Sequence, residues 1–192
     1  MGTLTSSEIT SLLLEWSNGK SEALEQLFPL VEGHLRKIAR NRLRSNENLP
    51  EMDTVALVGD LYIKLTNDQS LEMNNRSEFF KAAAVIMRHI VVDHARAYRA
   101  QKRGVDRIVA PPTDGLDSLT GDKLSQTEEL LAINDALDKL EQNDPDDCKL
   151  VELKYFLGLT NAEIAEIMKI SERTVRRNLI TIRAWLGREI GR

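Results

Sequence analysis

The chain has 192 residues, of which 42% are hydrophobic and 29% charged, which is typical of soluble globular proteins and excludes a chain that is disordered throughout. One cysteine, Cys148, excludes an internal disulfide and favours a reducing cytoplasm. The sequence has no N-terminal signal pattern and no apolar run near the roughly 18 residues that a membrane helix needs. We therefore expect a cytoplasmic protein without membrane insertion.

Charge is distributed unevenly, although the net charge is only −4. Residues 125–168 hold 3 basic and 11 acidic side chains, whereas residues 169–192 hold 7 basic and 2 acidic ones. A second basic segment, residues 88–103, holds 5 basic side chains and 1 acidic one. Because affinity for nucleic acid comes largely from neutralising phosphates, these two basic segments are the candidates for DNA contact.

Apolar residues recur at three- and four-residue spacing from the start of the chain, which predicts helices. A capping box at Thr5 begins the first helix, and Gly19 ends it. The second helix begins near Ser21 and continues to about Ile38, with a kink at Pro29.

Two further helices complete the first half of the chain. Thr54 caps the third, which ends at Asn67, and the fourth extends from Ser77 to about Lys102. The predicted buried stripe of the fourth helix is Phe79, Phe80, Ala83, Ile86, Met87, Ile90, Val91 and His94. Residues 1–103 are thus predicted to form a small helical bundle.

The helical rhythm stops between residues 104 and 124, where Gly, Pro, Ser and Thr predominate, and this segment is predicted to be a flexible, extended linker. Helices are predicted again at 127–142 and 146–157, followed by a stop at Gly158. The predicted fold is all-α, with two small helical domains, 1–103 and 125–192, joined by the linker.

The last quarter of the chain carries the signals of a helix-turn-helix. Thr160 and Glu163 have capping-box spacing before one short helix, and Ser171 can cap the next helix three residues after the first ends. An apolar stripe on the second helix leaves polar side chains near its start, where a recognition helix meets DNA: Arg173, Thr174, Arg176, Arg177, Asn178 and Thr181. The alternative is a solvated basic face on an ordinary helix pair.

The fourth helix presents Arg88, Arg96, Arg99 and Arg103 at four- and three-residue steps, flanked by polar residues including His89 and Asp93. This spacing suits a second nucleic-acid contact, and a solvated helix end is the alternative. His89 and His94 are five residues apart, with no cysteine or carboxylate cluster to complete a metal site. Since phosphate loops and catalytic constellations are also missing, we expect no metal, no cofactor and no enzyme activity.

Three segments together resemble bacterial sigma factors of the extracytoplasmic-function type. The segment 54–65, TVALVGDLYIKL, is similar to the family's docking segment for core RNA polymerase, which implies that role for Asp60, Leu61 and Tyr62. The segment 79–96 resembles the element that recognises and melts the minus-10 promoter region. That likeness implies minus-10 contacts by Arg88, His89, Asp93, Arg96 and Arg99, to which the arginine spacing adds Arg103.

Residues 163–165 and 174–177 resemble the family's helix-turn-helix for the minus-35 element, and the whole likeness covers nearly all of the chain. In this family the linker extends toward the active-site cleft of the polymerase. Residues 104–124 are long enough to do the same. Gly59 departs from the polar residue that many relatives have before the docking acid. The implied partners are core RNA polymerase and promoter DNA, and an anti-sigma factor is a further candidate.

Two other functions fit parts of the sequence. One is a helix-turn-helix repressor or activator that acts without replacing a sigma factor, its first domain sensing a ligand or dimerising. The other is a helical enzyme fused to a DNA-binding tail, which requires a polar pocket within residues 1–103. The sigma-factor interpretation accounts for two separate basic helices in an acidic chain, because each would meet a different promoter element.

Overall fold

A computed structural model describes residues 6–17, 20, 22–23, 25–29, 32, 54–67, 75–105 and 117–191. All regular secondary structure in these residues is helical, which confirms the predicted all-α class. The helices are α1 (Ser6–Ser17), α2 (Thr54–Asn67), α3 (Arg76–Val105), α4 (Asp117–Asn143), α5 (Pro145–Tyr155), α6 (Asn161–Met168) and α7 (Glu172–Glu189).

Most helix boundaries agree with the sequence within a few residues, because local start and stop signals set them. The predicted cap Thr5 and stop Gly19 lie outside the described residues. The helix predicted from Ser21 is described only in part: residues 22–23, 25–29 and 32 are helical, and the segment that follows the expected kink at Pro29 is mostly outside the description.

The predicted linker is shorter in the structure than in the sequence. Helix α3 continues to Val105 and α4 begins at Asp117, so residues 117–124 are helical rather than extended. Asp117 and Ser118 are good helix-start residues. Gly121 costs a helix interior only about 1 kcal/mol, which a helix of 27 residues can offset. Residues 106–116 lie outside the description.

Helix α3 is the centre of the fold. It packs against α1 and α2 on one side and against α4, α5 and α6 on the other, and the buried apolar side chains of both halves belong to one cluster. The predicted stripe of α3 is buried at Phe79, Phe80, Ala83, Met87, Ile90 and Val91, and half-buried at Ile86. His94 was wrongly assigned to this stripe, since its side chain is 42% exposed.

The prediction that Arg88 lies on an exposed face of α3 is wrong, although Arg96 on the same predicted face is exposed. Arg88 is 1% exposed and Val92 2%, because α4 and α5 cover this side of α3. The helix therefore has two buried faces, and only one of them carries the apolar pattern that periodicity detects.

Candidate nucleic-acid interface

Helices α6 and α7 are joined by a turn of three residues, 169–171, and each begins with the cap that the sequence predicts. At α6, the Glu163 amide donates to Thr160 Oγ1 at 3.3 Å and the Thr160 amide donates to Glu163 Oε2 at 2.7 Å. At α7, Ser171 Oγ accepts from the Thr174 amide at 3.0 Å. Lys169 ends α6 at φ 56, the left-handed conformation that turns the chain toward α7.

The inner face of α7 fixes its orientation on the helices before it. Val175, Leu179 and Ile182 are buried in the same apolar cluster as Ile164 and Ile167 of α6. Leu186, about one helical turn beyond Ile182, is half-buried. This packing directs the opposite face of α7 to solvent.

We predict that the capping box at Thr160 stabilises the α6–turn–α7 unit measurably. Thr160→Ala removes the acceptor for the Glu163 amide, and the free energy of unfolding should fall by about 1 kcal/mol, as N-cap replacements usually do. Urea denaturation measures the change. Thr66→Ala is the matched control, because Thr66 lies near the end of α2 and caps no helix start. An equal loss in both variants would contradict the assigned role.

The exposed face of α7 is basic and continuous. Arg173, Arg176, Arg177 and Thr181 are all exposed and recur at helical spacing. Ile180 lies between them and is 65% exposed, although the sequence pattern did not identify it. Arg176 makes one ion pair, with Glu172 at 3.4 Å, and both side chains of that pair are more than half exposed. Such a surface pair contributes little and leaves the guanidinium available.

Two of the six predicted DNA contacts on α7 are half-buried and hydrogen-bonded within the protein. Thr174 is half-buried, and its hydroxyl lies 2.8 Å from Ser171 Oγ at the cap. Asn178 donates to Asp147 Oδ1 of α5 at 3.2 Å. The pKa of Asp147 is raised above its usual value, mainly by burial and by the nearby Asp144. The hydrogen bond from Asn178 offsets part of this increase. Thr174 and Asn178 thus help to hold α7 in place.

A further basic residue extends this face. Arg183 is exposed and donates through Nε to the Tyr155 hydroxyl at 2.5 Å. Burial, and next the Arg183 guanidinium, lower the pKa of Lys154, whose ammonium group donates to Leu159 O at 3.1 Å. The seven-residue step from Arg176 to Arg183 was the available sequence signal for placing Arg183 near the recognition face.

Arg88 of α3 lies in a buried polar site instead of facing solvent. Its Nε donates to Asn134 Oδ1 at 3.0 Å, and its Nη1 donates to Glu152 Oε1 at 3.2 Å. It also forms an ion pair with Asp138, and Glu141 Oε2 lies 3.5 Å from Nη1. The sequence predicted none of these partners, which come from α4 and α5. In this arrangement Arg88 is withheld from any external ligand.

The other predicted residues of α3 differ in exposure. His89, Asp93 and Arg96 are exposed, and Asp93 pairs with Lys64 at 3.4 Å and with Arg96 at 3.8 Å. Arg99 is half-buried, and its Nε has no hydrogen-bond partner within the described part of the chain. The Arg103 side chain lies outside the description. A depression of about 380 Å³ beside His89 is lined by Lys64, Asn67, Ile86 and His89.

The predicted docking residues on α2 have three different environments. Asp60 is 43% exposed and its Oδ2 lies 2.8 Å from His94 Nε2. Leu61 is fully buried in the core, so its side chain has no access to a partner in this structure. Tyr62 is half-buried, with its ring 4.9 Å from that of Phe28 in an edge contact. Ile63 is 55% exposed and is the apolar side chain that the sequence prediction missed. A Cβ at Gly59 would meet nothing within 4 Å.

One acidic cluster has the spacing of a metal site. Glu141, Cys148 and Glu152 each place a possible ligand atom within 4.8 Å of the others. Arg88 Nη1 lies 3.7 Å from the Cys148 sulfur and also contacts both carboxylates. Burial, followed by the charge of Glu152, raises the pKa of the Cys148 thiol to about 12. The Arg88 guanidinium therefore supplies the positive charge that these two carboxylates face.

Comparison with known proteins identifies the family. A family model described as ECF sigma factor matches residues 6–192. Searches of curated proteins and of solved structures gave no match. Among the described residues, no helix combines the length and the apolar character that crossing a membrane requires. Members of such a family are DNA-binding regulators, generally not enzymes, and membership implies binding to core RNA polymerase and promoter DNA. The chain belongs to the ECF sigma factor family and has a sigma-factor role in transcription initiation.

Proposed function

We propose that this chain is a promoter-specificity subunit that docks on core RNA polymerase through α2, contacts the minus-10 element through α3 and contacts the minus-35 element through α7. The observation that carries the proposal is the exposed face of α7, which presents Arg173, Arg176 and Arg177 from a helix held by a short turn. Helices α4 to α6 are rich in acidic residues, so the α7 face is the basic part of this half of the chain.

The α7 face has the chemistry of major-groove recognition. Arginine donates two hydrogen bonds to guanine, and an exposed apolar side chain contacts the methyl group of thymine. Arg176, Arg177 and Ile180 supply both groups within little more than one helical turn. We propose that these three residues read bases, and that Arg173 and Thr181 also contact the minus-35 DNA. Thr174 and Asn178 act mainly by holding α7 in position.

Docking on polymerase is assigned to the exposed side of α2. Asp60 and Ile63 lie three residues apart, so they share a helix face. An acidic and an apolar side chain, with Tyr62 at the edge, suit a small interface in which a few anchors supply most of the affinity. Leu61 supports this surface from the core.

The minus-10 contact is assigned to α3. His89, Asp93 and Arg96 are already exposed, and Arg99 is half-buried beside them. Arg88 belongs to this set only when α4 and α5 no longer cover it. We retain Arg103 in the set from the sequence, and propose that residues 106–116, between α3 and α4, connect the two DNA-binding halves. An anti-sigma factor remains a candidate partner.

We predict that Asp60→Ala weakens binding to core polymerase at least about tenfold, which equals about 1.4 kcal/mol, because the variant removes a charged anchor. Affinity is measured by titrating labelled protein with sigma-free core polymerase. Affinity for minus-35 duplex DNA should not change, since α2 makes no contact with α7 among the described residues. Glu25→Ala is the control, because it removes an exposed acid outside α2. Equal loss of polymerase and DNA affinity would contradict the division of roles.

Selection of genomic DNA fragments bound by the chain, with and without core polymerase, tests the proposal as a whole. We expect a two-part motif, with separated minus-10 and minus-35 elements, that is recovered only with polymerase. Recovery of the same single operator motif in both conditions would support a repressor or activator and overturn the proposal.

A further inference from the structure

We propose that the packing of α3 against α4 and α5 is a closed, autoinhibited state of the free protein, in which acidic side chains hold Arg88 away from promoter DNA. The inference rests on the proposed function, because it needs α3 to be a DNA-contacting helix. It assigns Asn134, Asp138 and Glu152 a regulatory role as the binding site for Arg88.

The contacts of Arg88 use the whole guanidinium group. Nε and Nη2 donate to the Asn134 side chain and backbone at 3.0 and 3.1 Å, and the remaining donors face Asp138, Glu141 and Glu152. These carboxylates supply charge and acceptor oxygens of the kind that phosphates supply to arginine. Residues 125–168 carry a net charge of −8, so the acidic part of the chain takes the place of DNA at this position.

A second set of contacts joins the start of α3 to α6. Arg76 forms an ion pair with Glu166 at 2.6 Å, and Ser77 Oγ donates to the Ile167 carbonyl at 2.6 Å. Specific polar contacts therefore join the two halves of the chain at two places along α3. These contacts fix how the halves are arranged in the closed state.

The ion pair at the centre of this interface suits a reversible contact. Glu152 is fully buried and has Arg88 and Lys149 as its charged partners. Burying a charge costs hydration, and a buried pair recovers little more than that cost. When the halves separate, Arg88 and Glu152 regain water, so the net free energy that keeps them together is small compared with the gross attraction.

Promoter binding requires the halves to separate. The minus-10 and minus-35 elements lie about 25 base pairs apart, which is about 85 Å of DNA at about 3.4 Å per base pair. A compact chain of this length has a radius of gyration of only about 16 Å. The closed arrangement therefore cannot place α3 and α7 on both elements at once.

The closed state buries Arg88 of the proposed minus-10 contact and leaves the α7 face free. In the described residues α7 packs on α4, α5 and α6 and has no contact with α3. Arg173, Arg176 and Arg177 remain exposed while Arg88 is buried. Opening should therefore raise affinity for minus-10 DNA and leave affinity for minus-35 DNA unchanged.

The test weakens the closed state from its acidic side, so that no proposed DNA contact is altered. Asp138→Asn removes one charge from the Arg88 site, and Asp138 is half exposed, so the variant should fold. Glu152→Gln is the second variant, with folding checked by circular dichroism. Glu189→Gln is the matched control, because it breaks an ion pair with Lys139 that does not involve α3.

The native Cys148 reports opening directly. Cys148 is 1% exposed and lies beside Arg88. Asp138 is not among the residues that shift the pKa of the Cys148 thiol. In the free full-length chain we expect Asp138→Asn to raise the rate of maleimide labelling about tenfold, since a charged hydrogen bond has been weakened. Glu189→Gln should label at the wild-type rate.

Affinity provides the second measurement, with a short fluorescein-labelled single strand that carries the minus-10 sequence selected with polymerase. We expect Asp138→Asn and Glu152→Gln to bind it about tenfold more tightly than wild type, because more of the chain is competent to bind. Binding of the minus-35 duplex should stay constant. Folded variants with wild-type labelling and wild-type minus-10 affinity would overturn autoinhibition. Wild-type transcription with core polymerase would, in that case, leave the proposed function standing.

Discussion

Replacing Arg173, Arg176 and Arg177 together by alanine is expected to lower affinity for the minus-35 duplex by more than about a hundredfold. Each arginine that donates to a guanine contributes about 1–3 kcal/mol, and each one bound to a phosphate steepens the salt dependence of binding by about 0.9 in log–log slope. Fluorescence anisotropy at several salt concentrations measures both quantities. The fold should be retained, because all three side chains are exposed.

Arg188→Ala is the matched control for these arginines, since Arg188 is exposed in the last turn of the same helix. Its loss should leave affinity near the wild-type value. Single replacements of Arg176 and Arg177 then separate two kinds of contact. A base contact relaxes the preference at one position of the DNA, whereas a phosphate contact weakens all sequences evenly. A triple variant with wild-type affinity would show that α7 does not meet DNA.

Leu61→Ala is expected to reduce the free energy of unfolding by about 2–5 kcal/mol, the usual result of removing a fully buried leucine side chain. Family likeness places Leu61 in the polymerase-docking segment, but the structure places its side chain in the core between α2 and α3. Denaturation in urea measures the stability of the variant. Its affinity for core polymerase, measured where it is fully folded, should stay near that of wild type.

Ile63→Ala is the matched comparison, since it truncates an apolar side chain two residues away that is 55% exposed. We expect Ile63→Ala to lower polymerase affinity with a change in stability below about 0.5 kcal/mol, as is usual for surface positions. The opposite pattern, with loss of stability in Ile63→Ala and loss of docking in Leu61→Ala, would contradict our assignment of the α2 surface.

Local signals allowed the helices of this fold to be predicted from the sequence. The capping residues Thr160 and Ser171 determine where α6 and α7 begin, and the apolar stripe of α7 determines which face is exposed. These signals act within a few residues of the chain, so they can be recognised from the sequence alone. The exposed arginines of α7 follow from them.

The partners of Arg88 could not be predicted in this way. An arginine on a helix looks the same in sequence whether it meets a phosphate or a carboxylate from a distant helix. Glu152 is 64 residues away from Arg88 along the chain, and only the packing of α3 on α5 brings the two together. The excess negative charge of residues 125–168 was the one available hint, and it does not specify a partner.

The position of Leu61 shows a second limit of sequence reasoning. A short segment that resembles a docking motif contains both the side chains that face a partner and the side chains that support them. On α2, Asp60 and Leu61 are adjacent in sequence, yet one is 43% exposed and the other is fully buried. Helical geometry turns neighbouring residues by about 100°, so burial has to be determined for each residue.

Run-off transcription with purified chain and sigma-free core RNA polymerase tests our central claim most directly. On a template that carries the selected two-part promoter, we predict a transcript of defined length that needs both the chain and the minus-10 element. Asp60→Ala and the triple arginine variant should each reduce its yield. A chain that binds core polymerase in no condition and gives no promoter-dependent transcript from a genomic promoter library would contradict the claim.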